Sequence, residues 1–460
     1  MSVSSAIRAR DQRSKPLALL EGKVLIPEHE VFDRARRAWN LAVDHRPAAV
    51  VVAESVDDVV ATIQLAQEHG LRVAVQGTGH GAAAHGSLED AILLRTDRLR
   101  AIQVDPERRI ARLEAGVTWM EATEAAAQYR LALLAGSAPD VGVVGYTLGG
   151  GLSWLGRRHG LAVNSVHAIE LVTADGRVLR ADEDHESDLF WALRGGGGNF
   201  GVVTAIELRA LPITDVYAGL LWWPIDRGEE VLHCWRQLTE RELPDELTTV
   251  GRFLQLPELP EVPEPLRGRS FVVVEAFHLG EPAHADELLA PLRALDPESD
   301  TLDVVPVEAL SHLHMDPERP VPMVGDGVLL SELPARAVEQ LVIHGVGSPL
   351  ISIEVRQLGG ELARPQTGGG ALSAIGAPYA LFAVGVAPDL QMGRAITDSI
   401  ESLLSAMEPW AAAEMYLNFA ETRRDPESLW GEHAYRRLRQ IKAHVDPDNV
   451  ICANHPIAPA

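Results

Sequence analysis

Cysteine occurs only twice, at Cys234 and Cys452, far apart in the chain. That speaks against a disulfide framework and against a zinc site built on cysteines. Positive charge is also short: 41 Lys and Arg face 65 Asp and Glu, a formal net charge of −24. Nucleic-acid and anionic-membrane surfaces need an excess of Lys and Arg, so neither partner is expected. A small substrate is not excluded, because a local patch can differ from the total. No run of 18 apolar residues occurs, so no membrane span is expected. The first ten residues carry arginines but no apolar core of signal-peptide length, which makes a cytoplasmic protein the default. Internal repeats and low-complexity tracts are likewise missing. What remains is an ordinary globular composition, 46% hydrophobic and 23% charged, over 460 residues. That length holds two or three domains' worth of core.

Periodicity divides the chain near Pro212. Ahead of it, strand and helix alternate. Residues 48–53 read as an apolar strand, 56–67 as a helix ending before His69-Gly70, and 71–75 as a second strand. A helix follows near 118–129. Asp175-Gly176 turns a hairpin between 168–173 and 177–181. A helix over 188–194 then leads into a strand over 202–208. Beyond Pro212 prolines cluster at 257–265. Strands at 271–277, 350–357, 379–386 and 414–419 alternate with helices near 283–294 and 391–407. This predicts an α+β fold whose second part rests on an antiparallel sheet. A basic helix over 435–442 carries Arg436, Arg437, Arg439 and Lys442, read here as a solvated face.

Three glycine clusters stand out. The first, Gln76-Gly77-Thr78-Gly79-His80-Gly81, follows a strand. Its glycines let the backbone close tightly and present N–H groups to an anion. The second is Gly142-Val-Val-Gly145-Tyr-Thr-Leu-Gly149-Gly150-Gly151, and the third runs from Gly195 to Gly201. Any one alone is more often a turn than a ligand cradle. Together they suggest several backbone segments converging on one extended cofactor. Gly196-x-Gly198-x-x-Gly201 matches the Rossmann pattern literally, but it follows a helix and opens a strand, the reverse of that motif's context. His80 alone would be a structural histidine more often than not. His312-x-His314 lacks an evident third ligand, so a surface or packing role is preferred to a metal, and no metal site is expected.

Four motifs in order carry a family resemblance. They are Val-Gln-Gly-Thr-Gly-His80; Gly136-Ser-Ala-Pro-Asp-Val-Gly142 leading to Leu148-Gly-Gly-Gly151; Asp188-Leu-Phe-Trp-Ala-Leu-Arg-Gly-Gly-Gly-Gly-Asn-Phe-Gly-Val-Val203; and Asp446-Pro-Asp-Asn with Asn454-His-Pro-Ile457. The chain resembles the berberine-bridge-enzyme-like branch of the vanillyl-alcohol-oxidase flavoproteins, most of all bacterial members such as 6-hydroxynicotine oxidase. The resemblance implies a PCMH-type FAD-binding domain of two subdomains over 20–212. A substrate domain of antiparallel sheet covered by helices would span 213–425, and a segment over 426–460 would complete the FAD domain. It implies that Gln76, Gly77, Thr78, Gly79 and Gly81 hold the pyrophosphate, and that His80 bonds the flavin covalently. The second link made by many relatives is missing, because Ala138 stands at the cysteine position. Val141, Gly145, Gly149, Gly150 and Gly151 would run beside the flavin, Val202 and Val203 would contact the adenine half, and Asn454 would approach the ring. Val141 matches a small gate residue that accompanies dioxygen access.

The resemblance breaks at the catalytic base. The family's tyrosine is Phe419 here, in Tyr416-Leu-Asn418-Phe419, and the carboxylate used by plant members aligns with Ala380. Tyr416 is a catalytic candidate beside Glu354, although strand alternation would put it on the opposite face from Phe419. Glu354 alternates with Ser352 and Arg356 and is the best replacement, unless it forms a structural pair with Arg356. The leading expectation is an FAD-linked oxidase that passes hydride from a small amine or alcohol to the flavin, with dioxygen yielding hydrogen peroxide. A non-oxidative cyclase or isomerase, an inactive flavin-binding relative, and a nucleotide binder without flavin remain as alternatives. Substrate identity and oligomeric state are not legible.

Overall fold

Runs of branched apolar residues build three sheets in the computed structural model, which describes residues 15–460 except 259, 261 and 263. Strands Val24–Leu25, Ala49–Val52, Ala91–Arg95, Arg72–Gln76 and Ile451–Cys452 lie side by side in that order. All neighbours are parallel except the first pair. The helix Val56–His69 packs on this sheet. Ser55 caps its start by accepting from the Asp58 N–H, and Gly70, at φ +63°, ends it. A second, antiparallel sheet runs Ile102–Asp105, Ile110–Glu114, Val202–Arg209, Val166–Val172, Val178–Ala181. The two sheets share one core, which includes Ile63, Trp119, Ile169 and Phe200.

The third sheet has eight antiparallel strands. Its central members are Ser270–His278, Leu247–Gln255, Ser352–Gln357 and Tyr379–Val386, with Met323–Leu330 at one edge. Helices Gly228–Thr239, Ala335–Gly345 and Leu390–Met407 bury one face, where Ile353 and Val355 meet Trp235, Leu341 and Ile400. Ser352, Glu354 and Arg356 alternate with those residues and face the other way, toward a cavity. The fold is α+β, as periodicity suggested.

Two expectations fail. Residues 414–419 form no strand. Tyr416 is extended, but Leu417–Phe419 is a 3₁₀ turn closed by the Phe419 N–H donating to the Tyr416 carbonyl. The turn is set by Asn418, whose Nδ2 donates to the Tyr146 carbonyl at 2.9 Å. The basic helix belongs to Pro426–Val445 and is not a purely solvated face. Lys442 is 0% exposed, with Nζ donating to the Asn199 carbonyl at 2.7 Å, Asp446 Oδ2 at 2.5 Å and the Ile451 carbonyl at 3.1 Å. Asp446 also accepts from the Val450 and Ile451 N–H groups.

Lys442→Met removes one partner of this buried pair and strands the Asp446 carboxylate. Such a loss costs about 3–5 kcal/mol. A clear drop in the thermal unfolding midpoint is expected, larger than that of Arg436→Met on the exposed side of the same helix.

Candidate active site

A cavity of about 420 Å³ lies between the three sheets. It runs from Thr96, Ala115 and Val203 beside the two smaller sheets to Ser352, Glu354 and Arg356 on the large one. The first glycine cluster forms one wall. Gln76 is anchored by its Nε2 donating to the Arg37 carbonyl at 3.0 Å, and the Thr78 carbonyl accepts from the Trp39 N–H at 3.0 Å. Gly79 has φ +93°, and a Cβ there would stand 2.9 Å from Ala38 Cα, so only glycine fits. The chain then delivers His80 flat against Trp39, ring centroids 3.8 Å apart. His80 Nε2 lies 3.1 Å from Asp140 Oδ1, and the other Asp140 oxygen accepts from Trp39 Nε1. A carboxylate only accepts, so Nε2 is the donor in that contact.

The opposite wall is charged. Glu354 accepts from Arg356 Nε at 2.9 Å and lies 2.5 Å from His314 Nε2. His314 Nδ1 meets Glu275 at 2.6 Å, and Glu275 accepts from Arg252 at 2.9 Å. All five side chains except that of Arg356 are almost fully buried. Burial and the Arg252 guanidinium work against charge on His314, yet Glu275 and Glu354 raise it to about 9. Burial also opposes charge on Glu354, but Arg356 and His314 hold it well below the usual carboxylate range. The pairing with Arg356 is therefore present, and it leaves Glu354 on the cavity wall as a fixed anion.

Other sequence candidates fall in several places. Gly77, Thr78, Gly81, Ala138, Val141, Gly145, Val203 and Asn454 line the cavity, with Asn454 Nδ2 donating to the Gly81 carbonyl at 3.4 Å. Val202 lies wholly in the core beside it. Gly149, Gly150 and Gly151 stand behind the wall. A Cβ on Gly149 would fall 1.9 Å from Asn418 Oδ1, and one on Gly151 2.4 Å from the Tyr146 ring. Gly149 and Gly150 serve close packing of the 416–419 turn, and Gly151 that of Tyr146 and Ala162. Because that turn is not a strand, Tyr416 lines the cavity together with Phe419, rings 5.2 Å apart, and does not face away from it. Burial raises the Tyr416 hydroxyl above the usual tyrosine range. Ala380 sits in an apolar cluster with Leu329 and Tyr416, and Phe382 takes the cavity side of its strand.

Sequence reasoning passed over Asp140, Arg252, Glu275 and His314 as site residues. Glu275 did leave a signal, as the one charge inside the apolar strand Ser270–His278. His314 of the His312-x-His314 pair is a buried, charged cavity residue, whereas His312 pairs with Glu318 on the surface. Among the described residues, no group of three His, Cys, Asp or Glu is placed to hold a metal ion. Nor, among them, is any helix long and apolar enough to cross a membrane.

The wall suits an extended dinucleotide. Gly145 and Gly198 line the cavity, and a Cβ on either would meet nothing within 4 Å, so bare backbone faces open space at both. Known proteins agree. The family of FAD binding domains matches residues 47–182, and the berberine and berberine like family matches residues 415–458. An uncharacterized FAD-linked oxidoreductase of Bacillus subtilis (strain 168) is 27% identical over 458 residues, 96% of this chain and 97% of its own. (R)-6-hydroxynicotine oxidase of Paenarthrobacter nicotinovorans is 32% identical over 209 residues, 45% of each chain. The structure of Physcomitrella patens BBE-like 1 shares the fold, with TM-score 0.84 and 18% identity over 97% of this chain and 98% of that one. The protein is thus an FAD-linked oxidoreductase. It carries an FAD binding domain and a berberine-like segment, and it shares the PCMH-type fold of the BBE-like structures.

Gly145→Ala should not lower the melting point of the flavin-free protein, since it lies in the helix Val143–Leu148, but should weaken FAD uptake, whereas Gly79→Ala should lower both. Equilibrium binding and thermal melts separate the two. His314 binds its proton more tightly folded than unfolded, so its contribution is complete below about pH 6.5 and is lost as pH rises through about 9. The stability gap between wild type and His314→Gln should therefore narrow over that window in denaturant titrations.

Proposed function

We propose that the protein is an FAD-dependent oxidase that takes hydride from a small organic amine or alcohol and uses dioxygen as the final acceptor, releasing hydrogen peroxide. The observation that carries this reading is one cavity with a glycine-rich, histidine-ended turn on one side and a clamped carboxylate on the other. When bound, FAD supplies a two-electron acceptor that dioxygen can reoxidise. In this proposal Gln76–Gly81 hold the pyrophosphate, Gly145 and Asn454 flank the flavin, and Val203 meets the adenine half. His80 makes the one covalent link, since Ala138 offers no second. Val141, small and on the wall, leaves room for dioxygen. The FAD domain over 20–212, completed by 426–460, and the substrate domain over 213–425 are part of the same proposal.

Glu354 serves as a fixed hydrogen-bond acceptor for the substrate N–H or O–H. Its two cations make it a weak base and a strong orienting group. Tyr416 stays protonated and offers a hydroxyl and a ring edge to the same substrate. Phe419 and Ala380 cannot accept a proton, which supports a second reading: a non-oxidative cyclisation or isomerisation on the same fold. A product of unchanged mass would mark it.

The test is an absorbance spectrum before and after acid precipitation. Yellow colour is expected to stay in the pellet for wild type and to pass to the supernatant for His80→Ala. Peroxide should appear one-for-one with oxidised product across an amine and alcohol panel, and a purified protein that stays colourless with added FAD sinks the reading. Glu354→Gln should lower kcat/KM by about tenfold to a hundredfold, the scale of one lost charge-assisted hydrogen bond.

A further inference from the structure

A second cavity, of about 630 Å³, adjoins the first. Three titratable side chains, His45, His85 and Glu421, line both and form a neck between them. They sit in unlike states. The His45 and His85 rings meet edge to face at 5.8 Å, and His85 Nδ1 is buried with no partner. Burial lowers the affinity of both imidazoles for a second proton, that of His85 to about 3. Glu421 follows the Leu417–Phe419 turn by two residues. Among the described residues its carboxyl has no hydrogen bond or ion pair; only its N–H is used, donating to Asp326 Oδ1 at 3.2 Å. Asp326 is itself committed, accepting from Thr422 and Arg424. Across the second cavity, Asp44 is tied to Arg36 and Arg46, while Glu89 lines the wall. Arg423, beside Gly86, and Arg72, paired with Asp90, are further cations whose charge reaches His85. Glu421 thus contrasts with Glu354, which two cations keep ionised.

We propose that Glu421 accepts the proton that the substrate loses and returns it to solvent through the second cavity, supplying the acid–base group missing at Phe419 and Ala380. This role rests on the oxidase reading. The substrate N–H or O–H bond breaks, and its electron pair forms the new C=N or C=O bond. The C–H pair leaves as hydride to the two-electron acceptor, and the proton becomes the O–H of Glu421. That proton then passes to water in the second cavity and restores the carboxylate. Burial, with Asp326 adding to it, pushes the Glu421 carboxyl up to about 8. The accepting form therefore grows in as pH rises, and kcat/KM should rise with it.

The test uses FAD-loaded wild type and Glu421→Gln, with Glu421→Asp as a second variant should the first fail to load. Two quantities are read: the infrared carbonyl band of a protonated carboxyl between pH 6 and 10, and the rate of anaerobic flavin bleaching by amines and alcohols over the same range. The band should be present at pH 7, fade near pH 8 and be missing from the Gln variant. Bleaching should slow roughly a hundredfold or more in Glu421→Gln, the usual scale for a lost acid–base group, and lose its rise with pH. Glu421→Asp should keep the rise at a lower rate. A Gln variant with an intact rate and pH profile overturns the role of Glu421 alone, as does a wild type without the band. A wild type that no substrate bleaches overturns the oxidase reading, and this role with it.

Discussion

An ammonium group with no access to water holds the distant parts of this chain together. Lys442 reaches the Asn199 carbonyl of the third glycine cluster, the Asp446 carboxylate one helical turn on, and the Ile451 carbonyl of the last strand. Burial lowers its hold on the proton, and Asp446 works to restore it. The Asn199 side chain adds to the junction, donating to the His455 carbonyl and accepting from the Ile457 N–H. The tail is thereby fixed from 442 to 457, which is what carries Cys452 and Asn454 to the cavity wall.

The site divides its electrostatics between its two sides. On the turn side, backbone and glycine do the shaping, with one histidine set by an aromatic ring and a carboxylate. On the sheet side, alternating positive and negative side chains saturate one another across neighbouring strands and the 314 loop. A buried carboxylate held by two cations is a good anchor and a poor base, because the partners that keep it charged also resist its protonation. The strongly negative whole-chain charge says nothing of this, since the site's charges are balanced locally.

How much of this was legible follows from the range of the interactions. The glycine turn, the strand Tyr379–Val386 and the face carrying Ser352, Glu354 and Arg356 are local, and period-two alternation is enough to find them. Lys442 was misplaced because its charge outweighed its position. Leu438, Ile441, Lys442 and Val445 share one helix stripe, and that spacing puts the lysine inward. Glu275 likewise sits in an otherwise apolar strand. The turn at Leu417–Phe419 was beyond reach, because it is decided by Tyr146, 272 residues away from Asn418. Glu421 had no sequence signal beyond its nearness to the Tyr-x-Asn-Phe motif, since its importance is a matter of who does not touch it.

The parallel pairing of Arg72–Gln76 with Ile451–Cys452 sets an order on the birth of the molecule. Until residue 451 has left the ribosome, that strand is an open edge, with unpaired backbone along Val73 and Ala74, ready to zip onto a stranger. The turn that ends in His80 hangs from this edge. Its shape thus depends on a segment made long after it, and a nascent chain whose strands between Val24 and Arg95 have already paired still has an unfinished wall.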